Sequence, residues 1–111
     1  MGAILPALEK RLKVGVLYSG GLIREEALPQ VDQINFAPRV TIPMLMLNGR
    51  YDWFFPLETS QLPMFRLLGT PKEHKRHVVF EAGHMIPRSR HIKETLDWLD
   101  RYLGSPRLKD Q

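Results

Sequence analysis

Pro43-Met44-Leu45-Met46-Leu47-Asn48-Gly49-Arg50-Tyr51-Asp52 is the stretch on which the fold turns. Its apolar residues run without a break, which describes a strand covered on both faces and therefore a parallel sheet. Asn48-Gly49 stops such a strand with residues that favour turns. Asp52 then falls just past the strand's carboxyl end.

Two more strands follow from the same reasoning. Val14 to Tyr18 is short, apolar and rich in branched side chains, and it ends at Ser19-Gly20-Gly21. Arg76 to Phe80 ends at Glu81-Ala82-Gly83-His84. Between the second and third strands, Pro56 to Leu68 predicts a helix. Leu57, Gln61, Met64 and Leu68 keep helical spacing, Pro56 lies near the start, Gly69 serves as the stop, and Pro63 bends the early turns. The last helix carries Ile92, Leu96, Leu99 and Leu103 at intervals of four, three and four, with Gly104 after it. Near the start, Gly2 to Glu9 predicts a helix with Ile4, Leu5 and Leu8 on one face and its beginning cut off. Leu22 to Ile42, interrupted by Pro29 and Pro38, reads as loop with one helical turn.

This alternation predicts an α/β fold: a three-stranded parallel sheet with flanking helices, in one domain over residues 1–104 followed by a polar tail from Ser105 to Gln111. Right-handed crossovers place every strand's carboxyl end on one edge. Ser19, Asp52 and His84 then share a rim, the place where open α/β sheets hold ligands.

At 111 residues, 43% apolar and 25% charged, the chain has the composition of an ordinary globular domain. It has no cysteine, which excludes disulfides, thiolate chemistry and Cys-based metal sites, and favours a reducing, cytoplasmic compartment. No apolar run is long enough for a membrane span, and the N-terminus is not that of a secretory signal. The net charge of +4 raises nucleic acid, but the basic stretch Lys72 to His77 contains Glu73 and lacks interleaved aromatic residues, so none is expected. No cofactor or metal is expected either. His74 and His77 span a loop-to-strand junction without a supporting carboxylate cluster, and His91 decorates the start of the last helix.

Asp52 after one strand and His84 after the next can pair so that the carboxylate fixes the imidazole tautomer and supports its charged form. Trp53, Phe54 and Phe55 could line a pocket beside them, although packing beneath the following helix is the simpler expectation. The 43–52 stretch, Phe55-Pro56, Phe80-Glu81-Ala82-Gly83-His84 and Thr95-Leu96-Asp97-Trp98-Leu99 together resemble the last part of an α/β-hydrolase. The resemblance is to serine hydrolases related to prolyl oligopeptidases, dienelactone hydrolases and acetyl xylan esterases. It implies that Asp52 and His84 are the acid and base of a catalytic triad.

No serine in these residues stands in the Gly-x-Ser-x-Gly elbow that the family uses for its nucleophile. The resemblance puts Met1 to Glu9 in the helix after that elbow. Ser19 is a poor substitute because no helix begins there, while Ser60 falls within a helix, and Ser89 and Ser105 read as cap and tail residues. The expectation is a truncated serine hydrolase domain of esterase or peptidase ancestry that keeps the acid and the His of the triad and is inactive alone. The alternatives are a noncatalytic homodimeric interaction module and a half-enzyme whose nucleophile arrives on another chain. The Val14 to Tyr18 edge, or an exchanged N-terminal helix, is the expected homodimer surface.

Overall fold

The three expected strands form as β1 (Gly15–Tyr18), β2 (Met44–Gly49) and β3 (Lys75–Phe80). In the computed structural model, which describes residues 3–22 and 33–104, these strands make one three-stranded sheet in the order β1-β2-β3. Both pairings are parallel, with Leu45 opposite Val16 on one side and Arg76 on the other. The α/β expectation is therefore correct.

Every residue of β2 is buried. Side chains alternate along a strand, so Met44 and Met46 enter one core layer while Leu45 and Leu47 enter the other. The first layer is closed by α1 (Ile4–Leu8), by α2 (Gln33–Phe36) with the 3-10 turn Ala37–Arg39 after it, and by α3 (Leu62–Leu67). It contains Ala3, Ala37, Val40, Met64 and Leu68. The second layer is closed by α4 (Arg88–Leu103), which contributes Trp98 and Tyr102 beside Ile86. No helix among the described residues is long and apolar enough to cross a membrane.

Several local expectations shift. Asn48 and Gly49 do not end β2 but belong to it, paired with Val79 and Phe80. The chain between β2 and β3 is not one regular helix. A π-type turn at Leu57–Gln61 precedes α3, and Gln61 N–H reaches back to the Pro56 carbonyl at 3.1 Å. Pro63 follows in the first turn of α3. It has no N–H to offer Thr59, and the widened turn lies where that α-helical bond would have been. Gly69 is needed not for a left-handed stop but for space, because a Cβ there would overlap the Pro38 carbonyl oxygen.

The two outer helices turn different faces inward than their leucines suggest. In α1, Leu5 and Leu8 are 60% and 52% exposed, whereas Ala3 and Ala7 pack into the core. Small side chains let this helix sit close to the Ala37–Arg39 turn. In α4 the inward stripe is His91, Thr95, Trp98 and Tyr102, one residue before the expected Ile92, Leu96, Leu99 and Leu103. The same four, three, four spacing is kept, but Trp98 and Tyr102 offer more apolar area than the leucines they displace. Gly104 ends α4 as expected, at φ 83°, with its N–H on the Asp100 carbonyl at 2.9 Å. Ser89 lies exposed in the first turn of α4 and caps nothing, since the N-cap position is Pro87. Pro29 and the Ser105 to Gln111 tail lie outside the described residues.

Candidate active site

Asp52 and His84 emerge from adjacent strands at the carboxyl rim, and two backbone bonds stitch their turns together. Arg50 N–H donates to the Phe80 carbonyl at 2.8 Å and Tyr51 N–H to that of Ala82 at 3.0 Å. Gly49 makes this approach possible. A Cβ at Gly49 would overlap the carbonyl oxygens of Ala82 and Gly83, whereas one at Gly83 would meet nothing within 4 Å. Gly49 is thus required by the neighbouring turn and not by its own.

The Asp52 carboxylate is fully buried and its two oxygens have separate tasks. Oδ1 accepts the N–H groups of Phe54 at 2.8 Å and Phe55 at 3.0 Å, which folds the chain back over it. Oδ2 lies 2.8 Å from His84 Nδ1. An ionised carboxylate can only accept, so Nδ1 carries the proton and the lone pair of the neutral ring is on Nε2. The His84 side chain is 38% exposed, so its ring is reachable from solvent while its partner is not. Chemically this is an oriented base backed by a buried acid, able to take a proton at Nε2 and to hold the resulting imidazolium.

The same turn explains the aromatic run. With Phe54 N–H and Phe55 N–H drawn onto Asp52, Trp53 and Phe54 are left 76% and 61% exposed, contrary to packing beneath the helix. Phe55 is half-buried against Gly21. The Phe54 and Phe55 rings stand 5.5 and 6.0 Å from that of His84. Gln61, fully buried, donates from Nε2 to the carbonyls of Gly49 at 2.9 Å and Phe55 at 2.7 Å and so ties both ends of the loop to the sheet.

Ser19 reaches the same rim without the arrangement of a nucleophile. Its hydroxyl donates to the His84 carbonyl oxygen at 2.6 Å rather than to the imidazole. Ser60 lies in the π-type turn and is likewise occupied, donating to the Leu22 carbonyl at 2.6 Å.

Below the rim is a brace that the sequence reading did not identify. Asn48 Nδ2 donates to the Gly20 carbonyl at 2.8 Å, which turns Asn48 Oδ1 toward His77 Nε2 at 2.9 Å. That oxygen needs a donor, so His77 holds its proton on Nε2. Burial lowers the pKa of His77 from its ordinary value and so favours the neutral ring. The brace joins the chain just past β1 and the end of β2 to the middle of β3. Only the residue type at Asn48 hints at it, since a buried amide must find partners.

His74 is elsewhere, with Nδ1 3.0 Å from the Tyr102 hydroxyl, so His74 and His77 do not converge. His91 is not mere surface decoration, because its ring meets Tyr18 edge-on at 4.7 Å. Among the described residues no three His, Cys, Asp or Glu gather as a metal site would need.

Residues 3–96 match the serine hydrolase (FSH1) family. The chain belongs to that family. Solved structures agree with the assignment. A cold-adapted esterase from an Arctic intertidal metagenomic library is 30% identical with a TM-score of 0.73, over 89% of this chain and 42% of its own. A protein assigned as a dienelactone hydrolase from Klebsiella pneumoniae is 26% identical, at 0.65, over 93% and 45%. A monoacylglycerol lipase from Paleococcus ferrophilus is 25% identical, at 0.54, over 63% and 28%. No curated protein matches the sequence. The α/β-hydrolase resemblance is thus correct for fold and family, and this serine hydrolase (FSH1) chain spans less than half the length of these solved relatives.

Proposed function

We propose that these residues supply the acid and base of a serine-hydrolase active site acting on esters, with His84 as general base and Asp52 as the acid that orients it. The observation that carries this reading is the 2.8 Å contact from Asp52 Oδ2 to His84 Nδ1, made by a buried carboxylate at the carboxyl rim of an FSH1-family sheet. The nucleophile and the oxyanion donors come from residues outside this sequence. That requirement follows from the absence of a Gly-x-Ser-x-Gly elbow in it and from the position of Ser19, whose hydroxyl is committed to a carbonyl. Alone, the 111-residue chain turns over no ester.

A fluorophosphonate probe and a p-nitrophenyl ester test this together. The expected result is no stoichiometric serine labelling and no burst of product. Labelling that disappears in Ser19→Ala would overturn it.

A second proposal concerns the side of β1 away from β2, which is the edge of the sheet among the described residues. An edge strand offers unpaired backbone groups. In solution this edge, with the exposed Leu5 and Leu8 of α1, would be covered by a second copy of the chain. Sedimentation at micromolar concentration should return the dimer mass, and a monomer mass would refute it. The cysteine-free composition fits a cytoplasmic setting.

A further inference from the structure

We propose that Ser19 is a positioning residue for the base, holding His84 through that residue's own carbonyl from the end of β1, across β2 from the strand that leads into His84. The inference rests on the role given to His84 above. Ser19 is 5% exposed and has φ 53°, the one non-glycine residue in the left-handed region among those described. A residue with a Cβ adopts that conformation rarely, and a persistent outlier of this kind marks a constraint.

The constraint can be read from the alternation of β1. Tyr18 points to the layer of Ile86, and its hydroxyl donates to the Ile86 carbonyl at 3.1 Å while accepting the Ile86 N–H at 3.0 Å. In a regular strand the next side chain would point to the opposite layer. The left-handed turn at Ser19 redirects its hydroxyl toward the same loop, where it meets the His84 carbonyl at 2.6 Å. Two consecutive residues therefore clamp the loop at 84 and at 86. The clamp is itself fixed from below, because Ser19 N–H donates to the Leu47 carbonyl at 2.8 Å and the Gly20 carbonyl is held by Asn48. With the backbone of His84 fixed on one side and its Nδ1 on Asp52 at the other, the ring has little freedom to swing its Nε2 away.

The test uses the whole chain and a readout specific to the base. In ¹⁵N-histidine-labelled protein, the Nδ1–H proton shared with Asp52 should appear far downfield of the amide protons. Its exchange with water should quicken about tenfold in Ser19→Ala, the change expected from losing one hydrogen bond. Ser19→Gly should quicken it as much, although glycine accepts the left-handed φ freely. Thr70→Ala removes another buried hydroxyl, one that donates to the Ile42 carbonyl away from the site, and should leave the signal unchanged. A signal retained in Ser19→Gly would show that Ser19 matters only for backbone shape. An equal loss in Thr70→Ala would show only general destabilisation, and either result overturns the proposal. Asp52→Asn keeps the two failures apart. If the downfield proton survives that change, the pairing with Asp52 fails. If it vanishes there but persists in both Ser19 variants, only the role of Ser19 falls.

Discussion

Gly49→Ala should do far more damage than its single methyl suggests. The added Cβ would overlap the carbonyl oxygens of Ala82 and Gly83, and both belong to backbone, so no side chain can rotate out of the way. The turns must separate. Doing so strains or breaks the bonds from Arg50 N–H to Phe80 and from Tyr51 N–H to Ala82, each contributing about 1 kcal/mol net. Overpacking adds about 1–3 kcal/mol. The sum is about 3–5 kcal/mol, a large part of the roughly 5–15 kcal/mol that holds a domain of ordinary stability. The assay is urea unfolding, where this loss moves the midpoint down by about 2 M or leaves the chain unfolded in buffer. Gly83→Ala is the control from the facing turn. Its Cβ enters open space and its φ is not in the left-handed region, so its effect should stay within about 1 kcal/mol. Equal destabilisation by the two variants would refute the claim that close approach at Gly49 joins the site.

Burial depresses the pKa of His77, so the unfolded chain takes up a proton there before the folded one does. Stability should therefore fall as pH drops below about 6.5 and level off below the folded-state pKa, and His77→Gln, which keeps a donor for Asn48, should flatten the decline in urea midpoints. Trp98 is 4% exposed, and its Nε1 has no hydrogen-bond partner among the described residues. Trp98→Ala should cost about 3–5 kcal/mol, whereas Trp98→Phe, which also removes an unsatisfied donor, should cost less than about 1.5 kcal/mol by thermal unfolding.

The sheet was legible in the sequence because the continuous apolar runs at 14–18 and 43–47, and the Val78-Val79-Phe80 run that follows the basic Arg76-His77, read as strands that must pack side by side. The Asp52–His84 pair was legible for the same reason, since both residues follow strands whose carboxyl ends must share an edge. What was hidden depends on distances between segments far apart in the chain. Gly49 reads as a turn residue until Ala82 and Gly83 are seen against it, and the Ser19 clamp exists only because β1 ends beside the His84 loop. The α4 stripe misled because helical spacing fixes a period but not a phase. Four aliphatic residues fit the pattern, and so did His91, Thr95, Trp98 and Tyr102 one position earlier. Trp53 and Phe54 were misplaced because the pull of Asp52 on two N–H groups reverses the chain just where a helix had been expected to cover them.

The most direct measurement is ester hydrolysis after the chain is reconstituted, fused or mixed, with the part of an FSH1-family sheet that carries a Gly-x-Ser-x-Gly elbow. The account predicts turnover that falls by about 10⁴ in Asp52→Asn and by about 10⁶ in His84→Ala, as when these partners are removed from other serine hydrolases. Turnover that survives His84→Ala undiminished would contradict it.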